Sequence, residues 1–160
     1  MQNVRFADEM LVIGGTREGC HGRRILPFIL SFVWGTRDRE PLLVGDIEQF
    51  AYALMRQKCR ENHCPLAAIG GMENHVHLLV TLPRTLCIPD FVRSVKGASA
   101  HLLNVTHGPP TWGFKWQGGY GVHTVSPGHF STVRRYIENQ KQHHAQSTLW
   151  PASEKFSETD

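Results

Sequence analysis

No pair of cysteines in this 160-residue chain is spaced as CxxC, although four cysteines are present: Cys20, Cys59, Cys64 and Cys87. That spacing would mark a zinc knuckle, so its absence argues against one. No leading segment reads as a secretory signal, so the thiols are expected to be reduced and the protein cytoplasmic. No apolar run reaches the roughly 20 residues a membrane span needs. "ILPFILSFVW" (25–34) is too short and reads as a buried strand, so no membrane partner is expected. The glycine-rich "GTREGCHGRR" (15–24) lacks the spacing and the Lys-Ser/Thr pair of a phosphate loop. Charge is also modest: 17 basic against 14 acidic residues leave +3, which permits a nucleic-acid partner without demanding one.

What is present is histidine, ten in all, with 41% apolar and 19% charged residues, ordinary for one domain with a real core. Residues 1–24 fit the rest poorly and read as an N-terminal extension. Residues 25–146 read as the domain and 147–160 as a frayed polar tail. Within the domain, 26–35 is apolar and β-branched and predicts a strand. A helix follows over 46–62, with Asp46 as its cap and Ile47, Phe50, Ala51 and Leu54 on one face. Segments 64–72 and 73–83 read as two strands around a turn at Glu73-Asn74. A second helix spans 88–104, with Ile88, Phe91, Val92, Val95 and Leu102 inward and Arg93, Lys96 and His101 outward. "THGPPTWG" (106–113) is a loop, 118–125 a fourth strand, and 129–144 one last helix with Phe130, Val133 and Ile137 together. The expected class is α+β, a ferredoxin-like or RRM-like βαββαβ antiparallel sheet with two helices on one face, plus a C-terminal helix carrying Tyr136.

Strand alternation puts His75 and His77 on the same side, about 6–7 Å apart, with Val76 on the other. Two such imidazoles can converge on one divalent ion, or can be hydrogen-bonded core histidines. Asn74 shapes the turn that delivers them. In the last helix Tyr136 and Gln140 are four apart and share a face, which places a hydroxyl beside an amide oxygen. Ile137 turns with Val133 toward the packing side, so Tyr136 need not be core.

Taken together, "GGMENHVHLLVTLP" (70–83), "VKG" (95–97), "FKWQGGYGVHTVS" (114–126) and "YIENQKQHH" (136–144) resemble the small HUH-type tyrosine transposases of simple insertion elements and their REP-associated relatives. "SFVWGTRDREPLL" (31–43) is similar to their first strand and its exit loop. The likeness runs from about 28 to 144. It implies that His75, His77 and Gln140 hold a metal, Mg²⁺ with Mn²⁺ as a substitute, and that Tyr136 is the nucleophile. It implies a metal-dependent single-strand DNA transposase that nicks and rejoins DNA through a 5′-phosphotyrosine. Its partners would be hairpin ends of a mobile element and a second copy of the chain, with active sites shared between subunits. Arg37, Arg39, Arg93, Lys96, Arg134, Arg135 and Lys141 are candidate phosphate contacts. Trp112, Trp116 and Tyr120 are candidate base-stacking residues. Leu30-Ser31 stand where relatives often carry Tyr-His, and His123 where Phe is common. Two other readings remain. One is a catalytically silent single-strand-binding module on the same fold; the other is a metal-dependent phosphodiesterase that uses water.

Overall fold

A computed structural model describes residues 28–107 and 113–155. The expected N-terminal extension and Trp112 lie outside them. Eight main elements follow in chain order: strand β1 (Phe28–Gly35), helix α1 (Asp46–Glu61), strands β2 (Leu66–Met72) and β3 (His75–Leu82), helix α2 (Ile88–His107), strand β4 (Gly121–Thr124), and helices α3 (Phe130–Glu138) and α4 (Gln140–Ala145). The strands form one antiparallel sheet in the order β2-β3-β1-β4, the arrangement of a split βαβ unit repeated once.

Alternation along β3 sorts the two faces. Val76, Leu78, Val80 and Leu82 join Leu30, Phe32 and Trp34 of β1 on one face. Against them pack Ala51, Leu54, Met55 and Cys59 of α1 and Phe91, Val92, Val95 and Leu103 of α2. Leu103 is the fully buried residue at the end of α2, and Leu102 sits partly buried beside it. The opposite face is covered by α3: Ala68 and Leu79 meet Tyr136 and Ile137, flanked by Phe130 and Val133. His75 and His77 belong to that second face by period-two alternation.

Three local expectations are corrected. Gly45, not Asp46, occupies the cap position of α1, with φ +53° and ψ −124°, a conformation open to glycine. Asp46 and Glu48 fall inside the first turn, where their charge complements the helix dipole. The last helix is broken at Asn139 (φ −107°, ψ 24°) into α3 and α4 rather than running unbroken over 129–144. Residues 147–155 do not fray. After α4, Thr148 N–H donates to the His143 carbonyl (3.0 Å), Ser153 N–H donates to the Trp150 carbonyl (2.9 Å), and the segment returns over the second face.

Lys96, expected on the outside of α2, is turned into the structure. Its ammonium donates to the carbonyls of Gln117, of Gly118 at 3.2 Å and of Gly119 at 3.0 Å. Burial pushes its proton affinity down, to about 8. The lysine thus pins the connection that leads into β4. Lys96→Met leaves three carbonyls without this donor and is expected to cost about 1–3 kcal/mol, read as a lower urea midpoint.

Candidate active site

Gly70 opens the space for this site. It pairs with His77 across the β2–β3 ladder. A Cβ built there would lie 2.0 Å from the Ile137 carbonyl oxygen and 3.1 Å from its carbon. Only glycine lets the α3 backbone lie that close to the sheet. The residue before Ile137 is Tyr136, and Gln140 starts α4 just beyond the break, so this contact brings both toward the histidine pair.

His75, His77, Tyr136 and Gln140 are all buried, each no more than 2% exposed. All four come from one chain. The His75 and His77 rings sit edge to face with centroids 5.1 Å apart. His77 and Tyr136 are edge to face at 6.2 Å. Among the described residues, the His75 Nε2, the His77 Nε2 and both amide atoms of Gln140 lack hydrogen-bond partners. Buried polar atoms are seldom left in that state without a reason. Gln140 lies close enough to His75 and Tyr136 to affect the proton affinity of each, yet closes a hydrogen bond to neither.

Asn74 fixes the first histidine. Its Oδ1 lies 2.7 Å from His75 Nδ1, so the ring donates from Nδ1 and keeps the Nε2 lone pair free. Burial, reinforced by the neighbouring His77, pulls the His75 pKa down to about 4, so the imidazole is neutral near pH 7. The Asn74 carbonyl also accepts the Thr36 N–H at 2.9 Å, tying the turn to the end of β1. If the pair holds a divalent ion, Asn74→Ala is expected to lower its affinity about 10- to 100-fold, as removal of such outer partners does, while the fold persists; calorimetric titration with Mn²⁺ reads it.

Tyr136 is core after all. Sequence periodicity did not require it to be, but α3 packs on the sheet and the returning chain covers the other side of the ring. Trp150 stacks on it at 4.0 Å with the planes 4° apart, and His143 lies at 4.9 Å. The hydroxyl donates to Glu154 Oε1 and accepts the Trp150 N–H at 3.2 Å. Burial, with the Glu154 carboxylate beside it, pushes the phenol up to about 12. Glu154 was not a sequence candidate, because a glutamate in a polar tail carries no periodic signal. Its other oxygen, Oε2, lies 3.4 Å from His75 Nε2, 3.4 Å from His77 Nε2 and 3.9 Å from His144 Nε2. Burial raises the Glu154 carboxyl, but His77, Tyr136 and His75 outweigh it and hold the group down at about 2. His123 also lies near the pair: burial and His77 lower its proton affinity, and its Nε2 is buried without a partner among the described residues.

The other sequence candidates do not gather here. Arg37 and Arg39 lie on the turn after β1, and Arg37 faces Asp38 at 3.4 Å. Arg93 pairs with Asp90 (2.8 Å), Arg134 with Glu138 (2.9 Å) and Lys141 with Glu48 (2.7 Å). Arg135 is exposed next to Tyr136. Trp116 and Tyr120 pack against the edge of the main core, and the Trp116 indole donates to Ser99 Oγ at 2.9 Å.

A family model described as IS200-like transposases matches residues 28–140, a span that includes His75, His77, Tyr136 and Gln140. The chain belongs to this transposase family. It is 31% identical over 112 residues to the ISDra2 transposase TnpA of Deinococcus radiodurans, covering 68% of this chain and 80% of that protein. A crystal structure of a Deinococcus radiodurans protein described as a transposase superposes with a TM-score of 0.59 at 32% identity, covering 76% of this chain and 98% of the other. A REP-associated tyrosine transposase bound to a REP hairpin shares the fold at a TM-score of 0.59 and 16% identity, over 89% and 94% of the two chains. Among the described residues, no helix of this transposase is long and apolar enough to cross a membrane.

Proposed function

We propose that this transposase cuts single-stranded DNA with Tyr136 and rejoins it through a 5′-phosphotyrosine, using a divalent cation held by His75, His77 and Gln140. One observation carries the reading. Two buried imidazole nitrogens and a buried carboxamide, none of them hydrogen-bonded among the described residues, lie beside a tyrosine whose ring stands 6.2 Å from that of His77. That donor set fits a divalent metal better than a packed core. Mg²⁺ is the proposed ion, with Mn²⁺ as a substitute. Bound there, it would neutralise the phosphate oxygens and the departing 3′-oxygen.

The residues do the rest. The Tyr136 oxygen attacks phosphorus, one P–O bond forms, and the P–O3′ bond breaks. The 3′-oxygen leaves as a hydroxyl after gaining a proton. The phosphodiester energy is kept in the tyrosyl ester, so a free 3′-hydroxyl can reverse the step without ATP. With its pKa near 12 the phenol must shed its proton on attack, and the ionised Glu154 carboxylate already accepts that hydrogen bond. Stacking by Trp150 holds the ring in place.

The substrate in this reading is a hairpin end of a mobile element, the solved relative with a bound hairpin being one support. Arg135 beside the nucleophile is the best placed phosphate contact. Arg37, Arg93, Arg134 and Lys141 are secondary ones that would trade an acidic neighbour for phosphate, Arg39 is a further candidate on the turn after β1, and Lys96 is committed to carbonyls. A homodimer is part of the proposal, although the complete residue set already meets within one chain. Labelled single-stranded hairpin DNA incubated with Mn²⁺ or Mg²⁺ is expected to yield a protein–DNA adduct that survives denaturation and disappears with EDTA. Binding of a cognate hairpin without cleavage would favour the silent module instead.

A further inference from the structure

The C-terminal segment enters the site, and Glu154 is its leading side chain. Its backbone is seated, not merely draped. A Cβ on Gly121 of β4 would lie 2.3 Å from the Lys155 carbonyl oxygen, so the glycine makes room for the segment next to Glu154. A turn after α4, with His143 Nδ1 2.9 Å from Thr148 Oγ1, reverses the chain, and the Trp150–Tyr136 stack anchors it.

The carboxylate geometry is informative. Glu154 Oε2 lies 3.4 Å from both His75 Nε2 and His77 Nε2, and neither nitrogen is hydrogen-bonded. Donors bound at about 2.0–2.1 Å to a tetrahedral ion stand about 3.3–3.4 Å apart. Around an octahedral ion at the same bond length, neighbouring donors stand about 2.9 Å apart. His144 stands with His75 and Glu154 in a group that does not include His77: the ligand atoms of these three all lie within 4.8 Å of one another, and the His75 and His144 rings are 5.0 Å apart.

We infer that Glu154 is a further metal ligand, a carboxylate carried in by the C-terminal segment, with His144 as an accessory donor. This rests on the proposed metal at the histidine pair and adds to it a charged oxygen from outside the region matched by the family. One carboxylate then ties the nucleophile to the metal, since Oε1 takes the Tyr136 hydroxyl while Oε2 faces the histidines. A site with two or three imidazoles, the Gln140 amide and one carboxylate favours Mn²⁺, Co²⁺ or Zn²⁺ over Mg²⁺ in affinity.

The test is metal binding to the full chain, without DNA. Mn²⁺ and Co²⁺ are titrated by calorimetry into wild type, Glu154→Gln, and His75→Ala/His77→Ala, and the Co²⁺ visible spectrum is recorded. Melting in EDTA checks that Glu154→Gln folds. Glu154→Gln is expected to lose at least about tenfold in affinity and to shift the Co²⁺ bands, by the loss of one anionic ligand. Unchanged affinity and spectrum in Glu154→Gln, with loss in the double histidine variant, would overturn the role of Glu154 and leave the histidine site standing. Faster DNA cleavage at unchanged metal affinity would also overturn it, since the segment would then be a plug. Metal binding absent from wild type, or indifferent to the double histidine variant, would overturn the histidine metal site itself.

Discussion

Tyr136→Phe is expected to form no covalent adduct with DNA and to lose more than about 10⁴-fold in strand cleavage, the scale seen when a nucleophile is deleted. The change removes one oxygen and little else. The ring keeps its stack on Trp150 and its place against His143 and His77. Glu154 Oε1 loses its donor and the Trp150 N–H its acceptor, which together should cost about 1–3 kcal/mol of stability. Hairpin binding, measured by fluorescence anisotropy, should survive within a few-fold. A denaturing gel with 5′- and 3′-labelled hairpin gives the decisive reading. Cleavage that continues in the phenylalanine variant without an adduct would mean that water is the nucleophile and that the site is a phosphodiesterase.

Gly70→Ala should have the next largest effect, although Gly70 carries no chemistry. The new Cβ would sit 2.0 Å from a backbone oxygen of Ile137, and no side chain can swing away to relieve it. The α3 backbone must move off the sheet. Displacing a nucleophile by about 1 Å costs on the order of 10²-fold in rate, and overpacking of this kind costs about 1–3 kcal/mol in stability. The two readouts should separate. The histidines stand on β3 and not on α3, so Mn²⁺ affinity should fall less than the rate of adduct formation. Single-turnover cleavage, Mn²⁺ titration and a urea melt on the same preparation check all three. A Gly70→Ala variant with wild-type cleavage would mean that α3 is not held against the sheet at this point.

Much of this was readable from the sequence, for identifiable reasons. Period-two alternation alone puts His75 and His77 on one face and Val76 on the other, and the sheet delivers that arrangement. Element order predicts the βαββαβ layout, since turn residues at Glu73-Asn74 and Gly118-Gly119 leave few other ways to cut the chain. Tertiary geometry was hidden. The break at Asn139 has no proline or glycine to announce it. The burial of Tyr136 was left open because helical periodicity cannot report the chain that returns over its far side. Glu154 sits in the polar tail, and only folding reveals that it meets His75 and His77. Lys96 read as a solvent-facing cation because the carbonyls that hold it lie 21 to 23 residues away in sequence.

The most direct test of the central claim is to locate the DNA-linked residue. Wild type is incubated with a hairpin it cleaves, digested with trypsin and nuclease, and the modified peptide sequenced by mass spectrometry. Trypsin cuts after Arg135 and Lys141, so the account predicts nucleotide on the peptide Tyr136–Lys141, attached at its first residue. Attachment at Tyr52 or Tyr120, the other two tyrosines, or cleavage that leaves no residue modified, would contradict it.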